Sequence, residues 1–128
     1  MYCIDMLPQR VPEHSRGQFF AVEKYYMSGP YHERLFRQFG EVLLKLNCYH
    51  DLLVEQGEDE WVSNPKPEDL LQRLWQGMDR SHFYALVDDG DALIVTYGGD
   101  TYMSIYGASG ELLELVETLV TAAGVYLR

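Results

Sequence analysis

Residues 82–106 read HFYALVDDGDALIVTYGGDTYMSIY, and this stretch decides the fold. It contains three β-prone runs, 82–87, 92–97 and 101–106, separated by Asp-Asp-Gly-Asp and by Gly-Gly-Asp. Asp-Gly and Gly-rich pairs of this kind favour tight hairpin turns. The stretch therefore predicts a three-stranded antiparallel meander. Because the middle run is almost continuously apolar, we expect both of its faces to be covered.

Two helices are predicted before the meander. Ser28-Gly29-Pro30 is typical of a helix start, since proline suits the first helical position. The apolar residues that follow recur at three- and four-residue steps, and they are Leu35, Phe36, Phe39, Val42, Leu43, Leu46, Tyr49, His50 and Leu53. This pattern predicts a long helix that ends before Gly57, then a loop. A second helix is predicted over residues 67–76, with an apolar stripe that begins at Leu70 and Leu71.

The two ends of the chain complete the predicted order of elements. Residues 2–7 predict a strand, 8–17 a polar loop, and 18–27, rich in Phe, Tyr and Val, a second strand. After the meander we expect Ser109 to cap a helix that Gly124 ends, followed by an edge strand over 125–127. The predicted order is β-β-α-α-β-β-β-α-β. It indicates a single α+β domain, residues 1–128, with a mostly antiparallel sheet and helices packed on it.

Composition is that of a globular chain. The 128 residues are 47% hydrophobic and include ten Tyr, five Phe and two Trp. No basic flank with an apolar run opens the chain, so we expect no secretory signal. No stretch approaches the ~18 apolar residues of a membrane helix. We therefore expect a cytoplasmic location.

The net charge of −10 is unevenly distributed along the chain. Residues 1–56 hold six Lys/Arg against seven Asp/Glu, whereas residues 57–128 hold four against thirteen. Nucleic acid is disfavoured as a direct partner because phosphate binding needs a basic footprint. Anionic membrane surfaces are disfavoured for the same reason. The acidic half instead predicts a basic partner, although acidic charge also serves solubility alone.

No chemistry-bearing motif is complete. Gly107-Ala108-Ser109-Gly110 resembles part of a nucleophile elbow, but position 111 is Glu, so a helix cap is the better interpretation. Cys48 and His50 lie two residues apart, a spacing that keeps side chains on a helix from meeting. A Cys3–Cys48 disulfide is possible, and two buried free thiols are the simpler expectation.

We predict no metal and no cofactor. The four histidines have no metal-ligand spacing. The aspartates of the first hairpin lack the ligand series of a calcium loop, and turn chemistry explains them more simply. No Gly-x-Gly-x-x-Gly or Gly/Lys phosphate loop is present.

Acidic loops that carry aromatic residues are the strongest functional pattern. Tyr and Trp are common interface anchors, and clustered negative charge speeds encounter with a basic partner. The alternative is that these are solvated turns and that most tyrosines pack in the core. The predicted partner-binding residues are Glu58, Asp59, Glu60, Trp61, Asp88, Asp89, Asp91, Asp100 and Tyr102.

The segments 83–87 (FYALV) and 110–116 (GELLELV), with the size and acidity of the chain, resemble small bacterial toxin-immunity proteins. That resemblance implies a protein that covers a toxin's active site, often a basic nuclease groove, with acidic side chains. It carries no functional residue over to a position in this chain.

Three functions follow as hypotheses. The first is a binding protein, most concretely an inhibitor or immunity protein for a basic enzyme such as a toxin or nuclease. The second is a small enzyme or small-ligand domain, with candidate residues Cys48, His50, Tyr97 and Ser109. The third is an assembly domain that forms a homodimer through an edge strand near Val125. The absence of a complete catalytic set favours a binding role over an enzyme.

Overall fold

The computed structural model describes residues 1–128 and has four α-helices and seven strands. The strands are β1 (Tyr2–Asp5), β2 (Leu52–Gly57), β3 (Glu60–Ser63), β4 (His82–Val87), β5 (Ala92–Tyr97), β6 (Tyr102–Tyr106) and β7 (Tyr126–Leu127). The helices are α1 (Arg16–Tyr26), α2 (Gly29–Asn47), α3 (Pro67–Arg80) and α4 (Gly110–Ala123), and a 3₁₀ turn (Glu13–Ser15) precedes α1. No helix is both long enough and apolar enough to cross a membrane.

All seven strands form one sheet in the order β3-β2-β4-β5-β6-β1-β7. Every neighbouring pair is antiparallel. The meander β4-β5-β6 lies at the centre, as its turns predict. β1 lies between β6 and β7, so the first strand in the sequence pairs with the last two.

One hydrophobic core fills the space between the sheet and three helices. Alternate strand residues such as Phe83, Ile94 and Ile105 point toward α2, α3 and α4, and all three are fully buried. We call this the inner face of the sheet and the opposite side the outer face. On α2, Phe39 and Leu43 are fully buried, because helical spacing keeps them on the side that meets the sheet.

The predicted α+β class and antiparallel sheet are confirmed, and the prediction of a strand over 18–27 is wrong. These residues form α1, and the helix already begins within the predicted loop 8–17. Phe, Tyr and Val favour strands only where a pleated surface is there to receive them. Here the half-buried residues Phe19, Glu23 and Tyr26 follow a helical period instead.

The long helix is correctly placed but shorter than predicted. α2 ends at Asn47, and the residues before Gly57 form β2. Tyr49 interrupts the apolar stripe, since its side chain is 70% exposed. The predicted loop after Gly57 is also corrected, because β3 begins at Glu60.

The remaining predictions differ in detail. α3 continues to Arg80 rather than ending at 76, and β1 ends at Asp5. The last helix begins after Ser109 and ends at Gly124 as predicted, although the Ser109 side chain makes no capping hydrogen bond. Both cysteines are free thiols, and only Cys3 is buried.

The sheet has two edges of unequal length. The predicted edge strand near Val125 is β7, which has only two residues. Backbone hydrogen bonds join Cys3 and Arg128 in both directions, at 2.7 and 2.9 Å. The longer free edge is β3, all four residues of which are exposed.

Candidate functional site

The outer face carries a band of aromatic and aliphatic side chains that no helix covers. Strand alternation produces it, because each residue that points away from the core follows one that points toward it. His82, Tyr84 and Leu86 of β4 lie opposite Tyr97, Val95 and Leu93 of β5. We define the outer-face patch as Trp61, Tyr84, Leu86, Leu93, Val95, Tyr97 and Tyr106, which line a shallow depression of about 430 Å³.

Two tyrosines of the patch, Tyr84 and Tyr97, contact each other. The rings of Tyr84 and Tyr97 meet edge to face, with centroids 6.0 Å apart, and the Tyr84 hydroxyl donates to that of Tyr97 at 3.3 Å. This hydrogen bond, followed by burial, raises the pKa of Tyr84. Tyr97 and Tyr106 remain 49% and 45% exposed, and Trp61 remains 37% exposed. Large, oriented and accessible aromatic surface of this kind is typical of protein interfaces.

An imidazole–carboxylate pair forms one end of the patch. Nε2 of His82 lies 2.7 Å from Oε1 of Glu55, and the His82 ring lies 4.5 Å from that of Tyr84. This contact joins β2 to β4 on the outer face of the sheet. The pair fixes the His82 ring and therefore supports the position of Tyr84.

A deeper groove continues from the patch toward α1. Its volume is about 760 Å³, and it shares Val95, Tyr97 and Tyr106 with the patch. Phe19 and Phe20 of α1 form one wall. The helix has no fully buried residue, so it borders the groove without filling it.

The base of this groove contains a buried ion pair. Nε and Nη2 of Arg128 donate to Oδ2 of Asp5 at 2.9 and 2.6 Å. The other oxygen, Oδ1, accepts the Leu7 backbone N–H at 3.1 Å. Asp5 is only 4% exposed, and both of its carboxylate oxygens accept hydrogen bonds within the protein. Arg10 and Arg16 add two further cations to the lining.

Two carboxyl groups, Glu23 of α1 and Asp100 of the β5–β6 turn, are close enough for the charge of Asp100 to act on Glu23. Burial, and then the neighbouring Asp100 carboxylate, raise the pKa of Glu23 above its usual value. Burial also raises the pKa of Asp100, and burial together with Asp100 raises that of Tyr102. Partial burial therefore disfavours the charged forms of Glu23 and Asp100 at neutral pH.

We expect Asp100→Asn to stabilise the protein at pH 7.5 by up to about 1 kcal/mol, the scale of partly exposed charge interactions. Because both folded pKa values are raised, the native state takes up protons before the unfolded chain as the pH falls, which removes the penalty in the wild type. The advantage of the variant should therefore disappear near pH 4. Urea unfolding at the two pH values measures it.

The matched control is Asp89→Asn, which removes the same charge from an exposed turn. It should reproduce only the general effect of lowering the net charge. An Asp100 variant no more stable than the Asp89 variant at pH 7.5 would contradict a cost of burying the Asp100 charge.

The nine predicted partner-binding residues do not lie together. Glu58 and Asp59 lie in the β2–β3 turn, and Asp100 lies in the β5–β6 turn at the same end of the sheet. The β4–β5 turn, with Asp88, Asp89 and Asp91, is at the other end. Strands of six residues separate the two ends by about 20 Å.

Individual members of that set have different surroundings. Trp61 and Tyr102 are on the outer face, whereas Glu60 is on the inner side, beside α3. Asp88 has a structural role, because its Oδ2 is 2.8 Å from Nδ1 of His50 and its Oδ1 accepts the Asp51 N–H at 3.2 Å.

The structure does not bring the candidate catalytic residues together. His50 pairs with Asp88, and the Cys48 thiol donates to the Leu44 carbonyl at 3.5 Å. Ser109 precedes α4, and Tyr97 belongs to the outer-face patch. No hydrogen bond joins any two of the four. No three His, Cys, Asp or Glu side chains are grouped as metal ligands.

Sequence reasoning missed Tyr84, Tyr106 and Leu86 as surface residues of one patch. The signal was present, since alternation from the buried Phe83 places Tyr84 and Leu86 on the opposite face. The expectation that both faces of 92–97 are covered is corrected for Tyr97, which is half exposed, whereas Val95 is buried.

Comparison with known proteins adds no relative. Protein-family models, curated proteins and solved structures were all searched, and none matches this chain.

Proposed function

We propose that this chain is a protein-binding module, most concretely an inhibitor or immunity-type protein, that covers a basic protein partner with its outer face. The observation that carries the proposal is an exposed aromatic patch with acidic turns at both of its ends. Apolar, aromatic centres with charged rims are the usual anatomy of a specific protein interface.

The charge of the rim supports a basic partner. Carboxylates at one end are Glu58, Asp59 and Asp100, and those at the other are Asp51, Asp88, Asp89 and Asp91. Arg80 is close to the first end, but it already pairs with Asp79 at 3.0 Å. A field of one sign at both ends steers a basic surface onto the patch between them. The division of the acidic residues between two ends is therefore compatible with one large partner.

The test is a pull-down from an extract of the source organism at low and at high salt, read by mass spectrometry. We expect one basic protein to be retained at low salt and weakened at high salt. The double variant Tyr97→Ala/Tyr106→Ala should reduce its affinity at least tenfold, because two half-exposed anchors are lost. Calorimetry with the purified partner gives the dissociation constant.

The control for that variant is Tyr49→Ala, which removes an equally large and more exposed tyrosine outside the patch. Its affinity should equal that of the wild type. Unchanged binding by the double variant would contradict the proposed surface.

A small-ligand role is the second candidate, and the groove beside α1 is the observation that favours it. The groove combines aromatic walls with Arg10, Arg16 and Asp100. Pockets of this size with a few polar groups commonly hold small molecules. The pull-down separates the two functions, since absence of a protein partner at either salt would favour the small ligand.

A further inference from the structure

The free edge of β3 presents unused backbone groups. The Asn64 N–H donates to the Leu52 carbonyl at 2.7 Å, on the side of β3 that faces β2. Because alternate residues of an antiparallel strand face the same neighbour, Val62 also faces β2. The backbone N–H and C=O groups of Trp61 and Ser63 therefore point to the open edge.

A polar groove of about 380 Å³ runs beside this edge, between the inner face of β3 and α3. Its lining includes one cation, Arg73, together with Gln56, Gln72 and Gln76. The carboxylates of Glu60 and Asp69 form its exposed rim. The groove is distinct from the outer-face patch, which lies on the other side of the sheet.

Two side chains with hydrogen-bond donors, Arg73 and Gln56, line this groove. Arg73 is only 8% exposed, and its one hydrogen bond runs from Nε to the Glu55 carbonyl at 2.9 Å. It forms no ion pair, unlike Arg128. Nε2 of Gln56 is buried and has no hydrogen-bond partner. An unpaired buried donor such as Gln56 Nε2 is costly unless an oxygen atom from another molecule reaches it.

We propose that an extended segment of the basic protein partner adds to β3 as an eighth strand and fills this groove. Its backbone pairs with Trp61 and Ser63, a side-chain oxygen accepts from Arg73 and Gln56, and flanking basic side chains meet Glu60 and Asp69. The inference rests on the proposed function and assigns a particular part of the partner to a particular part of this chain. Addition of a strand to a free edge is a common mode of peptide recognition.

The charges and the position of the groove favour this occupant. A free anion would meet the rim carboxylates of Glu60 and Asp69, and a second copy of this chain would bring another acidic rim and a net charge of −10. A basic segment satisfies both carboxylates. Side chains on the other face of the added strand would lie beside Trp61, so that the edge and the outer-face patch form one continuous surface.

The experiment titrates ¹⁵N-labelled protein with the capped peptide acetyl-Thr-Lys-Val-Gln-Val-Lys-Thr-amide. In a strand, its two Lys and its Gln share one face, the arrangement that the groove requires. We expect chemical-shift changes at the Trp61 and Ser63 amides and at the side-chain N–H groups of Arg73 and Gln56. The peptide with Glu in place of both Lys should leave these signals unchanged.

Two variants make the test specific. Ser63→Pro removes an outward-facing N–H and leaves the β2 ladder intact, since proline is tolerated on edge strands. It should weaken peptide binding about fivefold, the change that one hydrogen bond of about 1 kcal/mol produces, whereas Ser63→Ala should not. Arg73→Gln should weaken it about tenfold, and it provides the test if Ser63→Pro loses its native spectrum.

Equal binding by the wild type, Ser63→Pro and Arg73→Gln would overturn the inference, as would shift changes confined to the acidic turns. The two proposals fail separately. A partner lost with Tyr97→Ala/Tyr106→Ala but retained with Ser63→Pro and Arg73→Gln would remove the eighth strand alone. A partner retained with Tyr97→Ala/Tyr106→Ala but lost with Ser63→Pro and Arg73→Gln would contradict binding at the outer-face patch and support binding at the β3 edge.

Discussion

Gly77→Ala is expected to destabilise the protein by about 3 kcal/mol, the upper range for overpacking a core. A Cβ atom at this position of α3 would lie 2.8 Å from the carbonyl carbon and oxygen of His82 and 2.8 Å from Cβ of Phe83. These are atoms of the backbone and its first side-chain carbon, so they cannot move without shifting β4. The gain of about 1 kcal/mol in helix propensity offsets only part of this cost. Urea unfolding at neutral pH measures the difference.

Gly40→Ala provides the matched control, because it places the same methyl group in another buried helical position. There the new Cβ would meet Cδ2 of Leu71 at 2.7 Å, the far end of a flexible side chain. Rotation of Leu71 can relieve that contact, so we expect stability within about 1 kcal/mol of the wild type. A loss for Gly77→Ala as small as the one expected for Gly40→Ala would show that α3 can move away from β4.

Arg128→Ala is expected to cost a similar amount, about 3 kcal/mol. The change leaves the Asp5 carboxylate, whose side chain is 6% exposed, without its cation. Removing one partner of a buried pair is costly because the remaining charge stays desolvated. The pair also joins β1 to the end of the chain across 123 residues, so β7 should lose its place beside β1. Thermal unfolding and the β7 amide signals report the two effects.

Arg37→Ala tests whether burial, rather than pairing, produces this cost. Arg37 donates to Glu33 at 2.8 Å, a distance like that of the buried pair, but both side chains are more than half exposed. We expect a loss of no more than about 0.5 kcal/mol. If Arg128→Ala reduces stability as little as Arg37→Ala does, water must reach the Asp5 carboxylate when Arg128 is removed.

Local turn chemistry made the centre of the fold predictable. The Asp-Gly pair in the first turn and the Gly-Gly pair in the second separate three strands whose bounds differ from the prediction by at most one residue. The long helix was also predictable from local sequence, since its apolar spacing persists over several turns. The apolar spacing continued by coincidence into β2, and only Asn47 and Asp51 marked the break between the helix and the strand.

α1 shows why composition misleads where tertiary contacts are few. Phe19, Phe20, Tyr25 and Tyr26 have strand propensity, but none of them is buried in the protein. Propensity is a weak prior that context overrides. The half-buried positions Phe19, Glu23 and Tyr26 are four and three residues apart, which is the spacing of a helix. Periodicity, rather than the strand propensity of the residue types, would therefore have predicted α1.

The candidate site was predictable in its chemistry and not in its geometry. Acidic turns and accessible aromatic residues were expected, and both are present. The separation of Asp59 from Asp89 depends on which strands pair, and sheet order is set by contacts between residues far apart in the sequence. Arg73 gave no signal, because an arginine on the buried side of a helix is recognised only once that side is known.

The position of β1 has a consequence for how the chain folds. A ribosome adds about 5–20 residues per second, and it makes β6 and β7, which flank β1 in the finished sheet, only after β1. Until those strands arrive, β1 has no neighbour to pair with. The pairing joins residues about a hundred positions apart, such as Tyr2 and Ile105, and long-range pairing of this kind is slow. We therefore expect the side of the sheet that contains β1 to form late in folding.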